Sequence, residues 1–418
     1  MAVGWRLSNE KFFKDAVPWI NDLKIKASYG TLGNQNIGNY PYQSVFQPNF
    51  NYPIGGGLLS GSAVTTLVNN SIRWESTTTK DVGIELTTLN RKLSFGATYF
   101  DRYTYDILVS PGGSVSNVLG FTVGVQNSGS LSNKGWEFTA SYNNTIGEFR
   151  YHADGNLSII NNEVLNLGVG NVNQPNGLVG NGNDLFIGYP LGAFYGLVAE
   201  GLFTDQADID AYPTQTTSIN PAVKPGDIRY KDISGPDGVP DGQVDLTYDR
   251  TIIGSTIPKY TYGLNLGGGY KGFDFSVLLQ GVAEVQGRLS NYAGYAFYVS
   301  GTIQRYQADG RWSPENPDRN ATYPRLEIIS NSGTANTRLS SFWMLNASYM
   351  RVKAVQLGYN LPKTIIKKIG LEGIRVYASG ENLFTINRYP QGWDPEINSG
   401  GAYYPILKNY TFGLNINF

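Results

Sequence analysis

The chain has 418 residues, with 32 Lys+Arg against 33 Asp+Glu, one His and no Cys. Charged residues make up only 16%, where an ordinary soluble domain carries about 25%, while aromatics reach 13% and glycine and tyrosine number 51 and 29. This balance excludes a basic nucleic-acid footprint, a disulfide scaffold, thiolate metal sites and a cysteine nucleophile, and the apolar content excludes a disordered chain.

Mean hydropathy is −0.26, and no run of about 18 apolar residues marks a transmembrane helix. The opening Met1-Ala2-Val3-Gly4-Trp5-Arg6-Leu7 has neither the basic nor the apolar region of a secretory leader. A cytosolic protein and a transmembrane β-barrel both satisfy these observations, because alternating strands dilute hydropathy. Periodicity separates them.

Taken in chain order, residues 93–99, 138–142, 262–267, 273–277 and 374–379 alternate apolar with small or polar side chains. That period of two places successive side chains on opposite faces of a strand. The last run alternates from Tyr410 through Phe412, Leu414 and Ile416 to Phe418, with Thr411, Gly413, Asn415 and Asn417 between them. In residues 349–359 the alternation slips near Ala354, which predicts a bulge. Asn90-Arg91-Lys92, Ile146-Gly147-Glu148 and Lys271-Gly272 read as tight hairpins, whereas 106–132, 163–184 and 288–338 read as long polar loops rich in Gly, Asn and Ser. About a dozen strands near the length that crosses a bilayer at a tilt, with short turns on one rim and long loops on the other, describe an outer-membrane barrel. Tyr29, Tyr99, Tyr103, Tyr142, Tyr270 and Tyr359 at strand ends fit interfacial girdles. A secreted two-sheet sandwich shares the alternation, but its strands usually run to about six residues.

Chemistry is sparse. His152 is the sole histidine, on one face with Arg150 and Asp154. A Ser/His/Asp hydrolase would need it as base, yet no nucleophile elbow stands nearby, so it reads as a polar lumen-facing residue. Gly267-Gly268-Gly269 lacks the helix and Lys-Ser/Thr of a phosphate loop and reads as strand end and turn. In the segment from Lys231 to Asp249, Asp232, Asp237, Asp241 and Asp245 recur with glycines between them. Such spacing suits a hard cation such as Ca²⁺, although Pro236 and Pro240 interrupt it and it departs from a twelve-residue EF-hand loop. The other reading of that loop is an acidic surface turn.

Several motifs resemble those of the SusC/RagA group of TonB-dependent outer-membrane transporters of Bacteroidetes. They are Trp19-Ile20-Asn21-Asp22-Leu23-Lys24 running on to Tyr29-Gly30, Gly33-Asn34-Gln35, Trp74-Glu75, Asn127-Ser128-Gly129 and Asn133-Lys134-Gly135-Trp136-Glu137. Pro225-Gly226-Asp227-Ile228-Arg229-Tyr230, Glu381-Asn382-Leu383-Phe384 and Trp393-Asp394-Pro395-Glu396 continue the series in family order to Phe418. The resemblance implies an all-β fold, a transmembrane antiparallel β-barrel of the 22-stranded kind that a plug closes. It implies a SusD-like lipoprotein lid, energy from the TonB complex, location in the cell outer membrane among its lipids, and import of oligosaccharides or oligopeptides. No signal peptide, TonB box or plug is read in the sequence. Residues 1–418 are therefore expected to form the C-terminal part of the barrel domain, unable to transport alone.

The reading is a transport component, not an enzyme, with no catalytic residue, no required cofactor and at most a structural Ca²⁺. The alternative is a secreted or surface β-rich carbohydrate-binding or adhesin protein using loops such as 292–298.

Overall fold

The computed structural model describes residues 1–418 apart from 38, 112–115, 117, 119, 367–369, 398, 399, 401 and 402. Eleven strands form one antiparallel sheet in strict chain order. They are β1 (Ala2–Arg6), β2 (Ile20–Asn34), β3 (Glu75–Thr88), β4 (Leu93–Val109), β5 (Gln126–Ile146) and β6 (Phe149–Asn166). The series continues with β7 (Tyr260–Tyr270), β8 (Phe273–Ala283), β9 (Tyr349–Asn360), β10 (Gly373–Asn387) and β11 (Asn409–Asn417). A sandwich would need two facing sheets; here each strand simply pairs with its chain neighbours. Most strands run well past ten residues, long enough to cross a tilted bilayer. This is the architecture of a barrel wall, open between β1 and β11.

The predicted hairpins are present. Leu89, Asn90 and Arg91 take positive φ between β3 and β4, Gly147 turns β5 into β6, and Lys271 and Gly272 turn β7 into β8. All of these lie on one rim. The opposite rim carries the long connections 35–74, 110–125, 167–259, 284–348 and 388–408.

Residues opposed across an antiparallel ladder share a face, so the register separates the two sides of the wall. One row runs Tyr410, Gly380, Val355, Val277, Leu266, Ala153, Tyr142, Leu93. The adjacent row, on the other face, runs Thr411, Ser379, Gln356, Ser276, Gly267, His152, Asn143. On the apolar face, Phe149 stacks on Tyr151 at 5.5 Å and Phe273 meets Tyr359 at 4.4 Å near the short-turn rim. Tyr99 lies 5.3 Å from Trp136 toward the long-loop rim. Beyond that pair the same face turns charged, with Lys134 and Asp101 3.9 Å apart. Aromatic belts bounding an apolar band are what a bilayer selects.

The slip predicted near Ala354 is a bulge at Lys353: Val352 pairs with Leu279 and Ala354 with Leu278, leaving Lys353 unopposed. On the β10 side, Val352 pairs with Phe384 and Ala354 with Glu381. Asn382, with φ +51, holds the extra turn of β10 and donates to the Leu407 carbonyl at 3.1 Å.

The wall has little classical interior; the buried core sits in the long loops. Leu197, Leu202, Ile219, Ile228, Tyr230, Val244 and Trp312 pack into one cluster drawn from segments 167–259 and 284–348. Short ladders within them pair 193–197 with 250–255 and 199–202 with 228–230. The segment 288–338, expected to be a polar loop, contains buried Leu289, Ala293, Tyr295, Ala296, Trp312, Tyr323 and Ile329. Its polar composition hid a core because the apolar residues have no local period.

Candidate functional site: the polar face and the loop body above it

The polar face is small and charged by turns. Lys24 and Lys26 both reach Glu85, at 3.5 and 2.8 Å, and Ser28 donates to Asp81 at 2.8 Å. Arg375 meets Asp274 at 2.5 Å. A Cβ on Gly358 would sit 2.4 Å from the guanidinium and 2.6 Å from the carboxylate, so glycine leaves the space in which that pair lies. Between these clusters Glu85, Ser94, Thr139, Asp154, Asn156 and Asn265 border a broad open hollow. Such a surface offers many separate hydrogen-bonding groups to a polar ligand.

His152 stands on this face, as its position in β6 predicts. Its Nε2 is 3.9 Å from Asp154 Oδ2, and Ser141 donates to the same carboxylate. The serine proton therefore points at Asp154, whereas a hydrolase triad needs the serine bonded to the imidazole.

Above the wall, the motif Pro225-Gly226-Asp227 builds a clamp between two loops. Asp227 is fully buried. Its Oδ1 accepts from Arg325 Nε at 2.5 Å and Asn336 Nδ2 at 2.9 Å, and its Oδ2 accepts from Asn220 Nδ2 and the Lys224 N–H, both at 2.9 Å. Arg325 continues to Glu327 at 3.0 Å. A fully satisfied buried charge of this kind rigidifies what it joins. Gly226 has φ +84, and a Cβ there would lie 2.4 Å from the Trp312 ring, so glycine is required twice over.

A second clamp ties the 388–408 loop to the polar face. Arg351, on β9, gives Nη2 to Asp394 at 2.5 Å, Nη1 to Glu396 and Nε to Thr385 Oγ1 at 2.9 Å. Tyr349 donates to the other Glu396 oxygen, and Trp393 Nε1 donates to Gln304 at 2.7 Å. The motif Trp393-Asp394-Pro395-Glu396 thus joins three segments. Arg351 is not among the residues that the sequence motifs single out. The available signal was an arginine beside Val352 in a wall strand, which is tolerable when buried only where partners meet it.

The four aspartates of the 231–249 loop do not gather as a set. Asp237 lies in an exposed turn closed by Gly238 N–H on the Gly235 carbonyl at 2.9 Å. Asp245 Oδ1 accepts from the N–H groups of Thr247 and Tyr248. Asp232 Oδ2 accepts from Gly242 N–H at 2.7 Å, and Asp241 Oδ1 from Gln243 N–H at 2.9 Å. Asp249, absent from the predicted set, is fully buried and accepts from Ile233, Ser234 and Asp245 N–H groups. Burial pushes its carboxyl above the usual carboxylate range, while those three donors pull it back. Among the described residues no three His, Asp or Glu side chains form a metal-holding group.

No protein-family model matches the chain. Across its full length it is 28% identical to TonB-dependent receptor P3 of Formosa agariphila, aligning with 41% of that protein. It is also 28% identical to TonB-dependent receptor SusC of Bacteroides thetaiotaomicron, aligning with 40% of it. The chain thus spans about two fifths of the curated relatives it matches. Its whole length superimposes on 43% of a chain in the structure of the RagAB peptide transporter, with TM-score 0.74 and 24% identity. In the "open-open" state of the RagAB importer the TM-score is 0.76 over 42% of that chain. The relatives are TonB-dependent receptors, SusC among them, as the motifs anticipated, and the fold is that of their barrel wall.

Proposed function

We propose that this chain, whose relatives are TonB-dependent receptors, forms part of the wall and outer loops of an outer-membrane importer. Residues 1–418 act in it as one barrel domain. The observation that carries this reading is the register itself: one face is an apolar band edged by aromatics, and the other is a continuous polar surface with clamped loops above it. Lipid takes the first and a hydrated passage the second. In the intact transporter the TonB complex supplies energy, a SusD-like lipoprotein covers the outer loops, and the cargo is an oligosaccharide or oligopeptide. The chain contributes contacts and shape, and no bond-making residue.

The test is uptake in the native host. Deleting the gene should abolish accumulation of one labelled oligosaccharide or oligopeptide class, and dissipating the proton gradient should do the same in the wild type. Uptake that continues without the gradient would sink the reading.

A further inference from the structure

We infer that the 232–245 loop binds one Ca²⁺ through a ligand set narrower than its aspartate spacing suggests: Asp232, Ser234 and Asp241, with the Gln243 carbonyl. Two buried side-chain oxygens in this loop have no partner, Asp232 Oδ1 and Ser234 Oγ. Asp232 is 9% exposed and Ser234 1%. A buried carboxylate oxygen with no donor is costly unless a cation or further hydrogen bonds meet it. Among the described residues no Lys, Arg or His forms an ion pair with Asp232, Asp241, Asp245 or Asp249, so none of them neutralises these carboxylates by direct contact.

The remaining ligands lie at the same spot. The Asp241 carboxylate crowds Gly235, where a Cβ would come within 2.9 Å of Oδ2, and Gly235 follows Ser234 directly. Asp241 uses Oδ1 for the Gln243 N–H, which leaves Oδ2 for a ligand. Gln243 is in extended backbone, so its carbonyl points to the same side as its N–H, toward Asp241.

The order of these groups explains why the spacing looked irregular. The Gly235-to-Gly238 turn lifts residues 236–240 out as an exposed insertion. Without it, Asp232, Ser234, Asp241, Gly242, Gln243 and Asp245 occupy positions 1, 3, 5, 6, 7 and 9 of an EF-hand loop. Gly242 has φ +82 and gives its N–H to Asp232, as the sharp turn at position 6 requires. No acidic residue stands at position 12, where Tyr248 falls, so affinity belongs to the weaker end of such loops, on the order of 10⁻⁴–10⁻³ M. Only two of the ligands are carboxylates, and a hydroxyl and a carbonyl complete the set, so the site needs no cluster of three acids. Bound here, the ion would hold the insertion against the ladder of 214–215 with 243–244.

The experiment is calorimetric titration of Ca²⁺ into the purified, chelator-treated full chain in detergent micelles. It is paired with protease protection of the 231–249 segment and does not depend on transport. One ion per chain is expected, with Asp241→Asn and Ser234→Ala each weakening binding by about tenfold or more, Asp237→Asn leaving it unchanged, and Mg²⁺ giving no protection. Asp241 and Asp237 are both exposed, so both variants should fold, and circular dichroism of the strands verifies this. Absent binding, or equal loss in Asp237→Asn and Asp241→Asn, would overturn the site. Ca²⁺ binding that survives every substitution would place the ion elsewhere and overturn it too.

Discussion

Arg351 Nη2 lies 2.5 Å from Asp394 Oδ2, joining the long-loop end of a wall strand to the 388–408 loop. The arginine side chain is 2% exposed, so the contact is sheltered from salt and solvent. Arg351→Ala leaves the partly exposed Asp394 and Glu396 against the polar face without their cation, which costs about 1–3 kcal/mol. Limited proteolysis should then cut within 388–408 while the strand signal persists. Arg351→Lys should restore little, because one ammonium cannot reproduce a fork that serves two carboxylates and a hydroxyl.

Two glycines of the wall, one on β5 and one on β2, should respond oppositely to alanine. A Cβ on Gly135 would stand 2.0 Å from the Ile159 carbonyl oxygen and 2.8 Å from the Phe100 ring, whereas one on Gly30 meets nothing within 4 Å. Gly135→Ala must part β5 from β6 and should abolish the heat-modifiable folded band on a gel. Gly30→Ala should leave that band intact.

The two faces of β7 and β8 should tolerate charge differently. Leu266→Arg places a guanidinium in the apolar band near mid-strand and should cost about 2–4 kcal/mol when unfolding is measured in phospholipid vesicles. Ser276→Arg, on the polar row with His152 and Gln356, should leave stability nearly unchanged.

The loop body should weaken in alkali. Burial raises Tyr230, Tyr295 and Tyr323 above the ordinary phenol range and pushes Tyr306 up to about 12. The unfolded chain releases these protons near pH 10 while the folded body keeps them, so the stabilisation is complete below pH 10 and falls as pH rises toward 12. Ultraviolet titration should show a class of phenols ionising late, together with loss of the loop body. Phenols that all titrate at pH 10 in the folded protein would contradict the burial.

His152→Ala should change no hydrolysis rate against ester, peptide or glycoside substrates, since the Ser141 proton is directed to Asp154. A measured hydrolysis that disappears with the imidazole would restore a catalytic role.

What could be read along the chain was what repeats locally. Alternation in 262–267 and 273–277, the turn at Lys271-Gly272 and the slip near Ala354 each report the immediate surroundings of a few residues, and the structure holds all of them. The loop core and both clamps left no such trace. Asp227 meets Arg325 across 98 positions and Arg351 meets Asp394 across 43, and no pattern within either segment announces the other. In the 231–249 loop, aspartate spacing pointed to a cation but weighed Asp237 and Asp241 alike.

The sequence by itself therefore determined the strands, their two faces and the alternation of short and long rims. A residue in a wall must suit lipid on one side and water on the other, and that demand recurs every second position. Only the tertiary structure decided which loops fold into a buried body, which carboxylates are satisfied and which oxygens remain bare. Those outcomes depend on distant segments arriving at one place, where burial and hydrogen bonding are settled jointly.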